Sequence, residues 1–218
     1  MQEPIAISIV QKTNHNTPSP SVILGIDPGY ERCGFAILEH VTGHKEILQY
    51  SDCFKTSATL PFEDRLLLIG SECERLIKTY APNVCALEKV YFTSNQKTAM
   101  HVAEVRGVLL YLTKKYNLHL LEYTPNEIKV AIAGDGGADK RQIMYMVPKL
   151  VALTKTIKYD DEYDAIAVAL TASACASVTC NTTFKLTHRH HGMSGILKQV
   201  QDDKVGSSGW RDESVVVN

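Results

Sequence analysis

Residues 22–29 read Val-Ile-Leu-Gly-Ile-Asp-Pro-Gly, an apolar run that stops at an acid and turns at once. β-Branched residues at that density favour a buried extended segment, and Pro-Gly cannot continue it. Asp27 therefore projects from the rigid end of a strand, at the mouth of a sheet. A carboxylate so close to a core needs water, a donor or a cation. By itself Asp27 also suits a phosphate loop after a first strand, so its meaning depends on which other acids meet it.

The rest of the chain supplies a mixed α/β frame. Strand-like runs at 22–27, 33–39 and 46–53 are separated by Gly29 and by Thr42-Gly43, as antiparallel neighbours joined by short turns require. Leu66, Ile69, Cys73, Leu76, Ile77 and Tyr80 recur at helical spacing over 61–80. Residues 84–88 form a short buried strand that ends in a second acid, Glu88. Gln96 to Lys115 is a second long helix, with Ala99, Ala103 and Gly107 four apart. That ridge of small residues can approach either the chain's own sheet or a second subunit. Residues 118–123 alternate like a strand, and Pro125 opens a short helix. After the loop Gly134 to Gly137, Asp139 caps a helix through Leu150, which Pro148 should kink or end. The last helix runs from about Asp160 to Ala176.

At 218 residues and 44% apolar, the chain can bury one core and forms a single domain with tails. A flexible arm is expected over 1–20, a folded domain over 21–177 and a mostly disordered tail over 178–218. The tail's His188-Arg189-His190-His191 cluster reads as solvated rather than as a metal site. Net charge is −1, so no global basic field announces nucleic acid, although a folded surface can segregate charges that cancel in the sum. Six cysteines without a C-x-x-C pair fit a reduced, cytoplasmic compartment. The first residues lack a basic signal-peptide start, and no apolar run is long enough to span a membrane.

Two further acids lie three apart near the start of the last helix, Asp161 and Asp164, on one face. If the first and fourth strands are neighbours, Asp27 and Glu88 face the N-terminus of a packed helix, and four carboxylates can meet. Such a group repels itself unless cations neutralise it. Hard oxygen donors select Mg²⁺ or Mn²⁺, and two such ions can activate water and stabilise a leaving oxygen in phosphodiester hydrolysis. The plainer alternative is that Asp160-Asp161-Glu162 complements the helix dipole and that Glu88 is an exposed strand end. Asp160 and Asp164 would share a face too, so spacing leaves Asp160 and Asp161 both open.

Several ordered motifs sharpen this reading. Ile23 to Gly29, Glu88-Lys89-Val90-Tyr91 with Asn95, Ala103 to Gly107 (A-E-V-R-G), Gly134 to Gln142 (G-D-G-G-A-D-K-R-Q) and Asp161 to Ala167 resemble, in order, the bacterial Holliday-junction resolvases of the RuvC family. The resemblance covers about residues 21–176. It implies a ribonuclease H-like fold, with a five-stranded mixed sheet flanked by helices. It also implies metal-binding catalytic acids at Asp27, Glu88, Asp161 and Asp164, which selects Asp161 over Asp160. The activity implied is that of a crossover junction endodeoxyribonuclease. Such an enzyme is a homodimer that uses Mg²⁺, two ions per subunit with Mn²⁺ as a substitute, to nick opposing strands of a four-way junction. Its products carry 5′-phosphates, and its partner is the RuvA–RuvB branch-migration complex.

The same resemblance gives Lys140 a place beside the scissile phosphate, where an ammonium can offset developing charge. As a plain residue it would be a solvated first-turn lysine, unfavourable to the helix dipole. Lys129 aligns with a DNA-contacting lysine and is otherwise a surface lysine. Tyr91 stands where the family often has phenylalanine, and Tyr91 or its neighbour Phe92 can stack on an unpaired base. Three rivals differ in kind. An actin-like nucleotide binder needs a duplicated second domain, for which the folded length leaves no room. A ribonuclease H-like enzyme for RNA–DNA hybrids shares the acids but not the substrate, and intact acids argue against a non-catalytic junction-binding protein.

Overall fold

The computed structural model describes residues 21–41, 43–89 and 96–179, all within one unit. The expected arm, most of the expected tail, and Tyr91 and Phe92 lie outside the described residues. Ten elements follow one another. A meander of β1 (Ser21–Asp27), β2 (Arg32–His40) and β3 (Ile47–Lys55) leads into α1 (Phe62–Tyr80). Then come β4 (Val84–Glu88), α2 (Gln96–Lys115), β5 (His119–Tyr123), α3 (Pro125–Ala133), α4 (Lys140–Leu150) and α5 (Asp160–Thr179). The sheet order is β3-β2-β1-β4-β5. β1 is antiparallel to β2 but parallel to β4, and β4 is parallel to β5.

Period-two alternation divides the sheet's side chains between two cores. Leu24, Ile26, Phe35, Ile37, Cys85 and Leu87 pack against Ile69, Cys73 and Leu76 of α1 and Val105 and Leu109 of α2. Ile23, Ala36, Leu38 and Ala86 point the other way, against Ala165, Ile166 and Ala169 of α5, with α3 and α4 outside them. Gly25 lets α5 lie close: a Cβ on it would meet the Ala165 carbonyl oxygen at 2.5 Å and the Ala169 Cβ at 2.7 Å. No helix of the described residues is long and apolar enough to cross a membrane.

Local chemistry sets the helix ends. Thr124 and Glu127 form a capping box ahead of α3, with Pro125 in the first turn, and Gly134 closes that helix at φ +74°. Asp139 and Gln142 form the same box ahead of α4. Pro148 sits inside α4, and the helix runs on only to Leu150, where the amide of Val151 still bonds to the Val147 carbonyl. Proline in a last turn forfeits one donor without breaking the turns before it.

Two features depart from the helical periodicities. The ridge on α2 does not pack on the chain's own sheet: Ala103 and Gly107 are exposed, and nothing lies within 4 Å of a Cβ built on Gly107. Val105, Leu109 and Leu112 face the core instead. On α1, Arg65 is buried. Its guanidinium bonds to the Thr56 hydroxyl at 2.8 Å and the Tyr30 carbonyl at 3.1 Å, and lies 4.8 Å from the centre of the Tyr30 ring. This fixes the turn that follows Asp27.

Candidate active site

Register places the first two acids. Ile26 pairs with Leu87 across the parallel β1–β4 ladder, and both side chains enter the α1–α2 core. Asp27 and Glu88 come next, so they point to the opposite face at the same end of strands about 4.8 Å apart. That face is covered by α5. Gly34 is the β2 partner of Asp27, and it allows the helix N-terminus to settle directly on the sheet. Asp161 and Asp164 lie there on the first turns of α5, each partly buried.

The four acids lie in an unfavourable setting for negative charge. Burial pushes the Asp27 carboxyl well above the ordinary carboxylate range, and repulsion from Asp164, Glu88 and Asp161 adds to the rise, with Lys140 opposing it. Burial likewise raises Glu88, helped by Asp164, and raises Asp164 against the pull of Lys140. Asp161 is raised by burial in spite of Arg32. Asp160 behaves differently: a hydrogen bond from Lys140 draws it down to about 2. Thus Asp161 is among the acids that raise Asp27, whereas Asp160 is paired with Lys140. Spacing could not separate the two.

Lys140 stands at the edge of this group, with its Nζ 2.6 Å from Asp160 Oδ2 and 3.0 Å from Asp164 Oδ2. Burial works against the ammonium, but those two hydrogen bonds outweigh it and hold its pKa above the usual lysine value. Lys140, Lys129, Glu88 and Asp164 line one cleft of about 200 Å³, floored by Pro125, Ile128 and Ile143. Arg106, the arginine of the A-E-V-R-G run, donates to the Glu88 carbonyl at 2.8 Å and pairs with Glu122, which steadies the end of β4.

Sequence reasoning missed the second rim. Arg32 holds Asp161 through Nε at 3.1 Å and reaches Asp160 at 3.7 Å. Behind the acids, Glu162 is buried, accepting from the Ser51 hydroxyl at 2.6 Å and from Lys155 at 2.9 Å. No periodicity marks the Arg32–Asp161 or Ser51–Glu162 pairing, because each joins residues more than a hundred positions apart.

The donor set is all carboxylate oxygen, which suits a small hard cation. Placing Asp27 among three other acids at a buried strand end would be costly without positive charge nearby. Among the described residues, however, no three His, Cys, Asp or Glu side chains are grouped so that they could hold a metal ion as they stand. Arg32 and Lys140 hold Asp161 and Asp164 in this arrangement.

A five-stranded sheet of this order, with acids at the ends of two central parallel strands and at the start of the helix across them, defines a nuclease of ribonuclease H-like fold. Comparison with known proteins narrows the class. A sequence model of the family described as crossover junction endodeoxyribonuclease RuvC matches residues 23–172. The chain belongs to that family, one of metal-dependent nucleases. The RuvC of Petrotoga mobilis is 39% identical over 171 residues, 78% of this chain and 99% of that protein. The RuvC of Thermosipho melanesiensis is 42% identical over 147 residues, 67% and 93% of the two chains. Among solved structures, Thermus thermophilus RuvC in complex with a Holliday junction substrate superposes with a TM-score of 0.68 at 28% identity, covering 72% of this chain and 96% of that one. A yeast mitochondrial Holliday junction resolvase, 16% identical with a TM-score of 0.55, shares the fold.

Proposed function

We propose that this chain resolves four-way DNA junctions in recombination and repair by paired, metal-dependent phosphodiester hydrolysis. Asp27, Glu88, Asp161 and Asp164 would hold Mg²⁺, or Mn²⁺ in its place, as two ions in each subunit. The observation that carries the reading is the placement of Asp27 and Glu88 at the ends of neighbouring parallel strands, on the face where the α5 N-terminus brings Asp161 and Asp164, with Lys140 Nζ 3.0 Å from Asp164. Divalent ions held there would supply an activated water and offset charge on a leaving 3′-oxygen, which accords with 5′-phosphate products. Lys140 then presents its ammonium to the phosphate being cut, where charge develops in the transition state. Lys129, lining the same cleft, contacts the DNA backbone, and Tyr91 or Phe92 stacks on a base at the crossover.

Two symmetric cuts call for two related sites, and so for a homodimer. The exposed ridge of Ala103 and Gly107, flanked by exposed Met100 and Tyr111, supports a second copy packing on α2. Membership of the family supports the RuvA–RuvB branch-migration complex as partner. None of the five described cysteines is in a disulfide, which fits the cytoplasm. The nuclease domain spans 21–177, between an N-terminal arm and a C-terminal tail.

The deciding experiment compares wild type with Asp164→Asn on a synthetic four-way junction, the matching duplex and an RNA–DNA hybrid. Wild type should nick the junction in pairs with Mg²⁺ and stay silent in EDTA, while the variant binds the junction without cutting it. Full cleavage by the variant would sink the assignment of the acids. Preferential cutting of the hybrid would sink the junction reading.

A further inference from the structure

A strand that threads its scissile phosphate into four acids needs cations on both sides of them, since the acids themselves repel the neighbouring phosphates. Lys129 and Lys140 stand on one side, on α3 and α4. The opposite side is formed by the ends of β2 and β3. There Gly34 pairs with Cys53, and Arg32 pairs with Lys55 two residues further out. Gly34 and Cys53 both meet Asp161, the glycine through the Asp161 main chain and the thiol at 3.9 Å from its carboxylate. Strand residues two apart share a face. Arg32 and Lys55 therefore project beyond the α5 N-terminus on the same side of the sheet as the acids.

What these cations bind there differs in kind. Arg32 is engaged with Asp161 and Asp160, and Lys155 with Glu162. Lys55 is exposed, and its hydrogen-bond partner is a neutral phenol: Nζ donates to the Tyr159 hydroxyl at 2.9 Å and lies 4.4 Å from the ring centre. The Arg32 guanidinium flanks the same ring at 5.9 Å. Tyr159 thus holds a lysine in one place without neutralising it. An ammonium fixed in position and kept charged is what a phosphate contact requires.

Resting on the junction-nuclease reading above, we propose that Lys55, with Arg32 and Tyr159 beside it, forms a second DNA-backbone contact. It lies on the β2–β3 side of the acids, so that the cut strand is gripped on both sides of the scissile phosphate. Lys55 touches the backbone, and Tyr159 is a positioning residue that acts through it.

The test is binding of a fluorescent four-way junction in EDTA across a range of salt, using full-length wild type, Lys55→Ala, Lys55→Arg, Tyr159→Phe and, as a control, Lys114→Ala. Lys114 lies where α2 ends, at the opposite end of the sheet. Each lost phosphate contact lowers the salt slope by about 0.9, which makes affinity fall about 3.5-fold less between 50 and 200 mM salt. Lys55→Ala should show that change, with Lys55→Arg restoring the wild-type slope and Lys114→Ala never departing from it. Tyr159→Phe should weaken binding with the slope unchanged, because the charge stays but its tether is lost. A Lys55→Ala slope equal to that of wild type overturns the proposal, as does an equal loss for Lys114→Ala. Failure of wild type itself to prefer the junction over duplex would instead overturn the junction-nuclease reading.

Discussion

Gly34 lies so close to the main chain of Asp161 that a Cβ built on it would meet the Asp161 carbonyl oxygen at 2.0 Å. The obstacle is backbone, not the end of a flexible side chain, so it cannot step aside cheaply. Gly34→Ala must push the α5 N-terminus off the sheet and carry Asp161 and Asp164 away from Asp27. Overpacking of this kind costs about 2–3 kcal/mol. The expected outcome is a lower melting temperature together with loss of Mg²⁺-dependent cleavage. A variant as stable and active as wild type would show that α5 is not seated by this contact.

The raised pKa of Asp27 gives the metal-free protein a pH dependence of definite sign. The native state holds the extra proton, so this stabilising contribution is complete below about pH 4. It is lost as pH rises through the higher native value. Glu88 and Asp164 act in the same direction. Asp160, lowered to about 2, acts oppositely, with stability present above about pH 4 and lost toward pH 2. Melting curves in EDTA should therefore fall as pH rises above about 4, and Asp27→Asn should flatten that fall. Added Mg²⁺ should stabilise wild type at pH 8 and do little for the variant.

On the proposed reading, Lys140 acts on the reaction more than on binding. Lys140→Ala removes one preorganised positive charge, and losses of that type lower rates about 10²–10³-fold. Single-turnover cleavage should drop by that factor while junction affinity changes by less than about tenfold. Equal losses in both would make Lys140 a binding residue only.

Buried Glu162 depends on Lys155 and Ser51. Lys155→Ala leaves the carboxylate with the serine alone. Because the lysine side chain is itself 48% exposed, the cost is discounted to about 1–2 kcal/mol. Thermal unfolding should come a few degrees earlier. Lys155→Ala combined with Glu162→Gln should recover most of that loss, since the amide needs no counter-charge.

Gly107 is exposed in the middle of α2, so Gly107→Ala should stabilise the helix by about 0.5–1 kcal/mol in the monomer. If the ridge is the face that a second copy covers, Ala103→Glu should shift the protein toward monomer in light scattering and uncouple the paired nicks. A variant that stays dimeric would place the interface elsewhere.

Much of this protein was legible as local pattern. Alternation and turn residues located the meander, helical spacing located α1 and α2, and Thr124 and Asp139 marked caps whose hydrogen bonds are present. Asp27 and Glu88 could be read as strand ends because apolar runs stop at them, and the acids of α5 because they share a helical face. These features depend on neighbours within a few residues, and short-range geometry is written directly in the chain.

Tertiary structure alone decided the rest. Asp160 and Asp161 are equivalent by spacing, and the family resemblance rather than periodicity selected Asp161; the fold adds what each meets, Asp161 beside Arg32 and Cys53 and Asp160 beside Lys140. The small-residue ridge of α2 was compatible with either partner until packing turned Val105 and Leu109 inward. Arg32 beside Asp161, and Lys55 against Tyr159, join positions far apart in sequence. Such pairs depend on strand register and helix placement, which sum over the whole core. The sequence therefore determined which acids stand at strand and helix ends, and the fold determined which charges meet them.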